Sequence, residues 1–184
     1  MKPSLRISAR GADVSDDDLV VEVGSGKLDA LGSLYDRHAA DVARLASRLG
    51  AGADTEDIVH AVFLRVVDIA PRYVSGGAPV RAWLAGITVC VVRERRRSLG
   101  RWLRALSGVG REPDRTASPE TQRSDVHAAL ATLSTAHRET LVLVDGAGFT
   151  AAEAGDVLGV AQGTVWSRLH HGRAAIRAYL GDDR

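Results

Sequence analysis

Apolar residues recur every three or four positions in segment after segment of the chain, and no stretch sustains the strict alternation of a strand. In LYDRHAADVARLASRLG, Tyr35, Ala39, Val42, Leu45 and Leu49 share one helical face, and Gly50 and Gly52 end the run. In ADTEDIVHAVFLRVVDIAP, Asp54 or Thr55 is placed to cap, and Glu56 and Asp57 suit a positive first turn. Its stripe runs through Ile58, Val62, Val66 and Ile69 before Pro71 stops it. Pro79 suits the first residue of a further helix, VRAWLAGITVCVVRERRRS, apolar as far as Val92 and basic from Arg93 to Arg97. Nearer the start, Ser15 is positioned to cap a helix opened by Asp16, Asp17 and Asp18. The pattern predicts an all-α chain.

Periodicity fades after Leu99, where GRWLRALSGVGREPDRTA is rich in glycine and charge. This predicts two small helical domains joined by a flexible linker: a tail at 1–15, a first domain at 16–98, the linker at 99–120 and a second domain at 121–181. Ser118 and Pro119 look like a cap and a first helical residue. Ser134 caps a helix in TAHRETLVLV, which Gly146 and Gly148 break.

The second domain ends in the most specific pattern of the chain. Thr150 and Glu153 form a capping box opening TAAEAGDVL, Gly159 supplies a left-handed turn, and Gly155 allows close approach of the next helix. Val160 fills the space between the two helices. On that next helix Val165, Leu169 and Ile176 face inward, while Thr164, Ser167, Arg168, His171 and Arg173 face outward. From Thr164 to Leu180 there is no acidic residue, an arrangement favoured by attraction to phosphate. This is the spacing of a winged-helix-like helix-turn-helix, whose second helix reads the major groove. The alternative reading of the same stretch is a basic solvated helix in an ordinary helical bundle. Trp166 is expected to pack at an edge or touch the sugar-phosphate backbone rather than read bases.

Other classes find little support. Formal net charge is only +1, so nucleic-acid binding must rest on local charge. The lone cysteine, Cys90, excludes an internal disulfide and suits a reducing cytoplasm; in its apolar run it is expected to be a buried, inert thiol. GSGK at 24–27 lacks the earlier glycine and the hydroxyl of a phosphate loop and reads as an exposed break between helices. Histidines are not spaced as metal ligands, and no catalytic constellation stands out, so no enzyme, metal or cofactor is expected. The opening residues lack the apolar core of a signal peptide, and no run is long enough to enter a membrane. The expected location is the cytoplasm.

The order of these blocks resembles the extracytoplasmic-function sigma factors of the sigma-70 family, over about residues 17–180. DTEDIVHAVFLRVV resembles the helix that binds core polymerase, PVRAWLAGITVCVVRERRRS the promoter-melting helix, and LSTAHRETLVLVDGAGFTAAEAGDVLGVAQGTVWSRLHHGRAAI the closing helix-turn-helix. The resemblance implies a promoter-specificity subunit that binds the polymerase core at its clamp and flap, engages promoter DNA, and is held inactive by an anti-sigma factor. By position, Asp57, Ile58, His60, Ala61, Phe63 and Leu64 would dock the core. The loop 75–79, with Cys90, Glu94, Arg95, Arg96 and Arg97, would meet the melted −10 strand. Thr164, Ser167, Arg168, His171 and Arg173 would face the −35 duplex, and Trp83 would be structural.

Several residues depart from the family pattern. His60 and Ala61 stand where the docking helix usually carries Gln-Glu, and Val89-Cys90 stands where the melting helix carries Arg-Asn. Trp166 replaces a common lysine, His171 an arginine or lysine, and Ala154 a larger aliphatic. The alternative reading is a helix-turn-helix regulator, or a degenerate sigma-like protein, that forms no active holoenzyme.

Overall fold

The structure, a computed structural model, describes residues 14–107 and 125–181. Among these the ordered elements are helices, with no strand and therefore no β wing beside the helix-turn-helix. The first group comprises α1 (Asp16–Gly24), α2 (Leu28–Leu49), α3 (Thr55–Ile69) and α4 (Val80–Ser107). The second comprises α5 (Asp125–Thr132), α6 (Thr135–Leu141), α7 (Ala151–Leu158) and α8 (Gln162–Leu180).

Local chemistry explains most of the boundaries. Ser15 caps α1 by accepting from the Asp18 amide at 3.2 Å, and α2 ends at Leu49 with Gly50 as its C-cap. The cap expected at Asp54 or Thr55 is not made. Asp54 turns its carboxylate to Arg95, and the Thr55 hydroxyl donates back to the Gly52 carbonyl at 2.8 Å, closing a 3₁₀ turn ahead of α3. In the first bundle Val20, Leu34, Leu49, Val62, Val66 and Val89 are almost wholly buried. Each such side chain contributes roughly 1.5–3 kcal/mol by leaving water.

The linker expected from Leu99 begins later, because α4 continues to Ser107 over 28 residues, about 42 Å. Arg101, Leu103, Arg104, Ala105 and Leu106 are all good helix formers, so Gly100, at a cost of about 1 kcal/mol, does not interrupt them. Residues 108–120 of that linker, the cap proposed at Ser118-Pro119 and most of the tail lie outside the described residues.

In the second bundle Ser134 caps α6. Arg138, only 8% exposed, donates to the carbonyls of Leu130, Ala131 and Leu133 at 2.7, 2.9 and 3.2 Å. It thereby satisfies carbonyls left open where α5 ends. A π turn, Val142–Gly146, loosens the end of α6 before Phe149 turns back to donate to Leu143 O at 3.0 Å.

The two bundles pack against each other. Arg93 of α4 grips Glu139 of α6 with two hydrogen bonds of 2.8 and 2.6 Å. The Arg81 guanidinium lies 4.4 Å from the Phe149 ring centroid, Arg48 donates to the Gly146 carbonyl, and Ser47 Oγ meets His127 Nε2 at 3.3 Å. Buried apolar residues form one cluster extending through both bundles.

Candidate polymerase and nucleic-acid interfaces

Three surfaces gather the residues singled out in the sequence. On α3, Asp57 and His60 are exposed and Leu64 is 69% exposed, while Ala61 is half-buried. Ile58 and Phe63 point inward at 3% and 4% exposure, so they fix the helix rather than face a partner. Phe63 packs on Tyr35 with ring centroids 4.8 Å apart. Beside them Leu28, Leu31, Tyr35, His60 and Leu64 border an open apolar hollow of about 530 Å³. Leu28, 70% exposed, was missed in the sequence; its only signal is an apolar residue off the core stripe, just after the GSGK break. Exposed apolar ground of this kind marks an interaction surface more often than a solvated one.

The second surface is one stripe of α4. Trp83, Gly86, Cys90, Glu94, Arg97, Arg101 and Arg104 follow at steps of three and four, which brings Cys90, Glu94 and Arg97 together. Arg95 instead turns to α3, 3.2 Å from Asp54 and 3.9 Å from Asp57, and Arg96 reaches Thr135 at 3.5 Å. Glu94 pairs with Arg65 at 3.0 Å.

Cys90 is exposed, not buried: flanked by the buried Val89 and Val91, it sits where the open stripe crosses an otherwise packed helix. Partial burial, then the Glu94 carboxylate 3.5 Å away, raises the thiol's pKa, so it is not activated as a nucleophile. Trp83 is half-buried against Tyr73 at 5.0 Å, as a structural aromatic should be.

The loop 75–79 at the head of α4 is held by a residue that sequence reasoning gave a different task. Asp17 accepts from the Tyr73 hydroxyl at 2.7 Å, the Ser75 hydroxyl at 3.2 Å and the Gly76 amide at 3.2 Å. These bonds, led by that from Tyr73, hold the carboxyl below its usual range. Burial and the same carboxylate push the Tyr73 phenol up to about 12.

The third surface is α8. The turn before it is built as its residues require: Gly159 adopts φ 69°, and the Val160 amide returns to Gly155 O at 2.9 Å. A Cβ at Gly155 would stand 2.8 Å from the Val160 carbonyl oxygen. The capping box of Thr150 and Glu153 is complete. Val165 and Leu169 are buried, and the buried Gly172 lets the helix lie directly on Leu141. Thr164, Ser167 and His171 are exposed on the other side and Arg168 is half-exposed. Trp166, 55% exposed, is not packed away. Arg173 departs from this set: it makes a two-point pair with Asp145 at 2.9 and 2.6 Å, tying α8 to the π turn. Ala161 gives no side-chain cap, which leaves the first amides of α8 open to an anion.

Among the described residues no group of three metal-ligating side chains converges, and no helix is long and apolar enough to cross a membrane.

Residues 34–106 match the family model for sigma-70 region 2, and residues 123–176 match that for sigma-70 region 4. The chain is 34% identical over 159 residues to the ECF RNA polymerase sigma factor SigL of Mycobacterium tuberculosis, covering 80% of this chain and 87% of that one. With SigM of the same organism it shares 34% over 171 residues, covering 91% and 85%. Among solved structures it is similar to CnrH in complex with the cytosolic domain of CnrY, with a TM-score of 0.68, 26% identity, and coverage of 92% and 99%. A helix-turn-helix with an open reading face, a long helix with an open stripe, and these matches across both bundles lead to one conclusion: the chain belongs to the sigma-70 family, as an extracytoplasmic-function sigma factor.

Proposed function

We propose that this promoter-specificity subunit divides its work by surface. The outer face of α3, with Asp57, His60 and Leu64 around the hollow next to α2, docks the polymerase clamp. The loop 75–79 and the α4 stripe through Cys90, Glu94 and Arg97 receive the melted −10 strand. Thr164, Ser167, Arg168 and His171 read the −35 duplex, and Arg173 holds α8 in place for them. Residues 16–107 act as one domain and 121–181 as the other, the latter also meeting the flap. The protein works in the cytoplasm without catalysis or cofactor of its own, and an anti-sigma factor restrains it; the structurally similar CnrH is itself held in complex with a protein partner, the cytosolic domain of CnrY.

The observation that carries this reading is the pairing, in one chain, of an acid-free exposed reading helix with a separate apolar hollow on the other bundle. A duplex reader that works alone has no use for the hollow. The test is run-off transcription with bacterial core polymerase on DNA from the source genome. Wild-type protein should give discrete transcripts downstream of a shared two-part motif. Asp57→Arg and Leu64→Arg should abolish both core association and transcripts, while −35 duplex binding persists. Duplex binding without transcripts from the wild type would favour a regulator that never joins the polymerase.

A further inference from the structure

The segment that carries the chain from α3 to α4 runs back along α1 and is fastened to it at both ends. At the C-terminal end of α1, a Cβ on Gly24 would stand 2.7 Å from the Ala70 carbonyl oxygen. At the N-terminal end, Asp17 takes the Tyr73, Ser75 and Gly76 donors on a single oxygen, Oδ1. The helix between is itself anchored. Leu19, Val20 and Val23 are buried, and Asp16 accepts from Arg37 of α2 and pairs with His38, both at 2.7 Å. The fastened loop has little stiffness of its own, since Gly76, at φ 78°, is followed by Gly77, and glycine leaves a backbone many shapes. Tyr73 packs on Trp83, and Pro79, Trp83, Gly86 and Cys90 border a cleft of about 590 Å³ between the bundles. Asp17 therefore holds the loop directly and reaches the α4 stripe through one aromatic contact.

We propose that α1 is a splint for the loop 75–79, and that Asp17 is the positioning residue through which it sets the choice of base on the melted −10 strand. The inference rests on that loop and the α4 stripe being the strand site. Telling one base from another takes short, directed bonds to a base edge, whereas a guanidinium attracts the phosphates of any sequence. Arg97 thus supplies affinity from a rigid helix, while the loop supplies selectivity only when it is held still. Without its acceptor the loop spends part of its time in shapes that do not fit, and a site competent for a fraction of the time binds more weakly by that fraction. The loss falls on the base-specific contacts, because the α4 stripe does not move. Asp17 is dispensable to its own helix: Asp16 and Asp18 remain in the first turn, and the buried residues of α1 are untouched.

The test uses holoenzyme assembled from the full chain and bacterial core polymerase, with anisotropy of fluorescein-labelled single-stranded DNA. One strand carries the −10 motif that run-off transcription defines; the others differ from it by single bases. Asp17→Ala should lower the affinity ratio between motif and variants about tenfold. Core association and the slope of log K against log salt should stay as in the wild type. Asp17→Asn keeps an acceptor oxygen at the same reach and should restore most of the ratio. Tyr73→Phe removes one donor but keeps the ring on Trp83; it should cost part of the ratio alone and nothing further in Asp17→Ala. An unaltered ratio in Asp17→Ala, with a wild type that discriminates, would overturn the proposal and leave the −10 site standing. So would an equal loss on every strand together with weaker core association, which would make Asp17 a brace of the fold alone. If the wild type binds motif and variants alike and Arg97→Gln leaves the salt slope unchanged, the −10 site is misplaced and the splint falls with it.

Discussion

Three donors converge on one carboxylate oxygen at the head of α1, where Asp17 fastens Tyr73, Ser75 and Gly76. The linkage has two signs. Asp17 is held below its ordinary value, so its contribution is present above the usual carboxylate range and is lost as pH falls through the lowered value. Tyr73 is raised to about 12, so its contribution is complete below the ordinary phenol value of about 10 and is lost as pH rises through 12. Asp17→Ala should bring the phenol titration part of the way back, followed by near-ultraviolet absorbance, and speed hydrogen exchange at Gly76. A phenol that still titrates near 12 would assign the whole shift to burial. At the reading face, Arg168→Ala should cost about 1–3 kcal/mol on the cognate −35 sequence if the guanidinium meets a base edge by two bonds. Competition binding against scrambled duplexes separates this from a phosphate contact, for which every sequence loses equally.

At the scale of elements, α7 and α8 depend on a missing side chain. Gly155→Ala places a methyl against the Val160 carbonyl, and backbone there cannot yield as a flexible side chain would. The expected cost is about 1–3 kcal/mol in thermal or urea unfolding, with duplex binding falling in parallel. The extra turns of α4 carry a second consequence. Arg104 lies seven residues past Arg97 on the same stripe, about 10 Å farther along the helix, and each strand of duplex DNA carries one phosphate per about 3.4 Å of its axis. Replacing Arg101 and Arg104 by Gln should lower the salt dependence of promoter binding by about two phosphates' worth, read from the slope of log K against log salt. An unchanged slope would mean the stripe ends at Arg97. What sequence reasoning read well is local in the same sense. Ser15, Ser134, the Thr150–Glu153 box and Gly159 act within four residues of themselves, so spacing alone exposes them. Cys90 was misread because an apolar run on a helix touching neighbours on several sides conceals the one direction left open.

At the scale of the molecule, what the sequence hid is what joins distant segments. Arg93 and Glu139 are 46 positions apart, Arg48 and Gly146 are 98, and no periodicity links such pairs. The fold of each bundle was therefore legible and the make-up of each candidate surface only in part, since Leu28 escaped notice and Ile58, Phe63 and Arg173 turn elsewhere, whereas the docking of one bundle on the other was not legible. That docking has a thermodynamic signature, since a core continuous through both bundles favours melting as one unit. Calorimetry of the free chain should show a single cooperative transition, and Glu139→Gln should divide it into two. Two transitions already present in the wild type would mean that the contact is too weak to couple the bundles.

The sole thiol of the chain opens onto the cleft between the bundles. Since that thiol is already exposed with the bundles packed, its rates of alkylation by maleimides of increasing bulk become a built-in gauge of the cleft's width, requiring neither a dye nor an introduced residue.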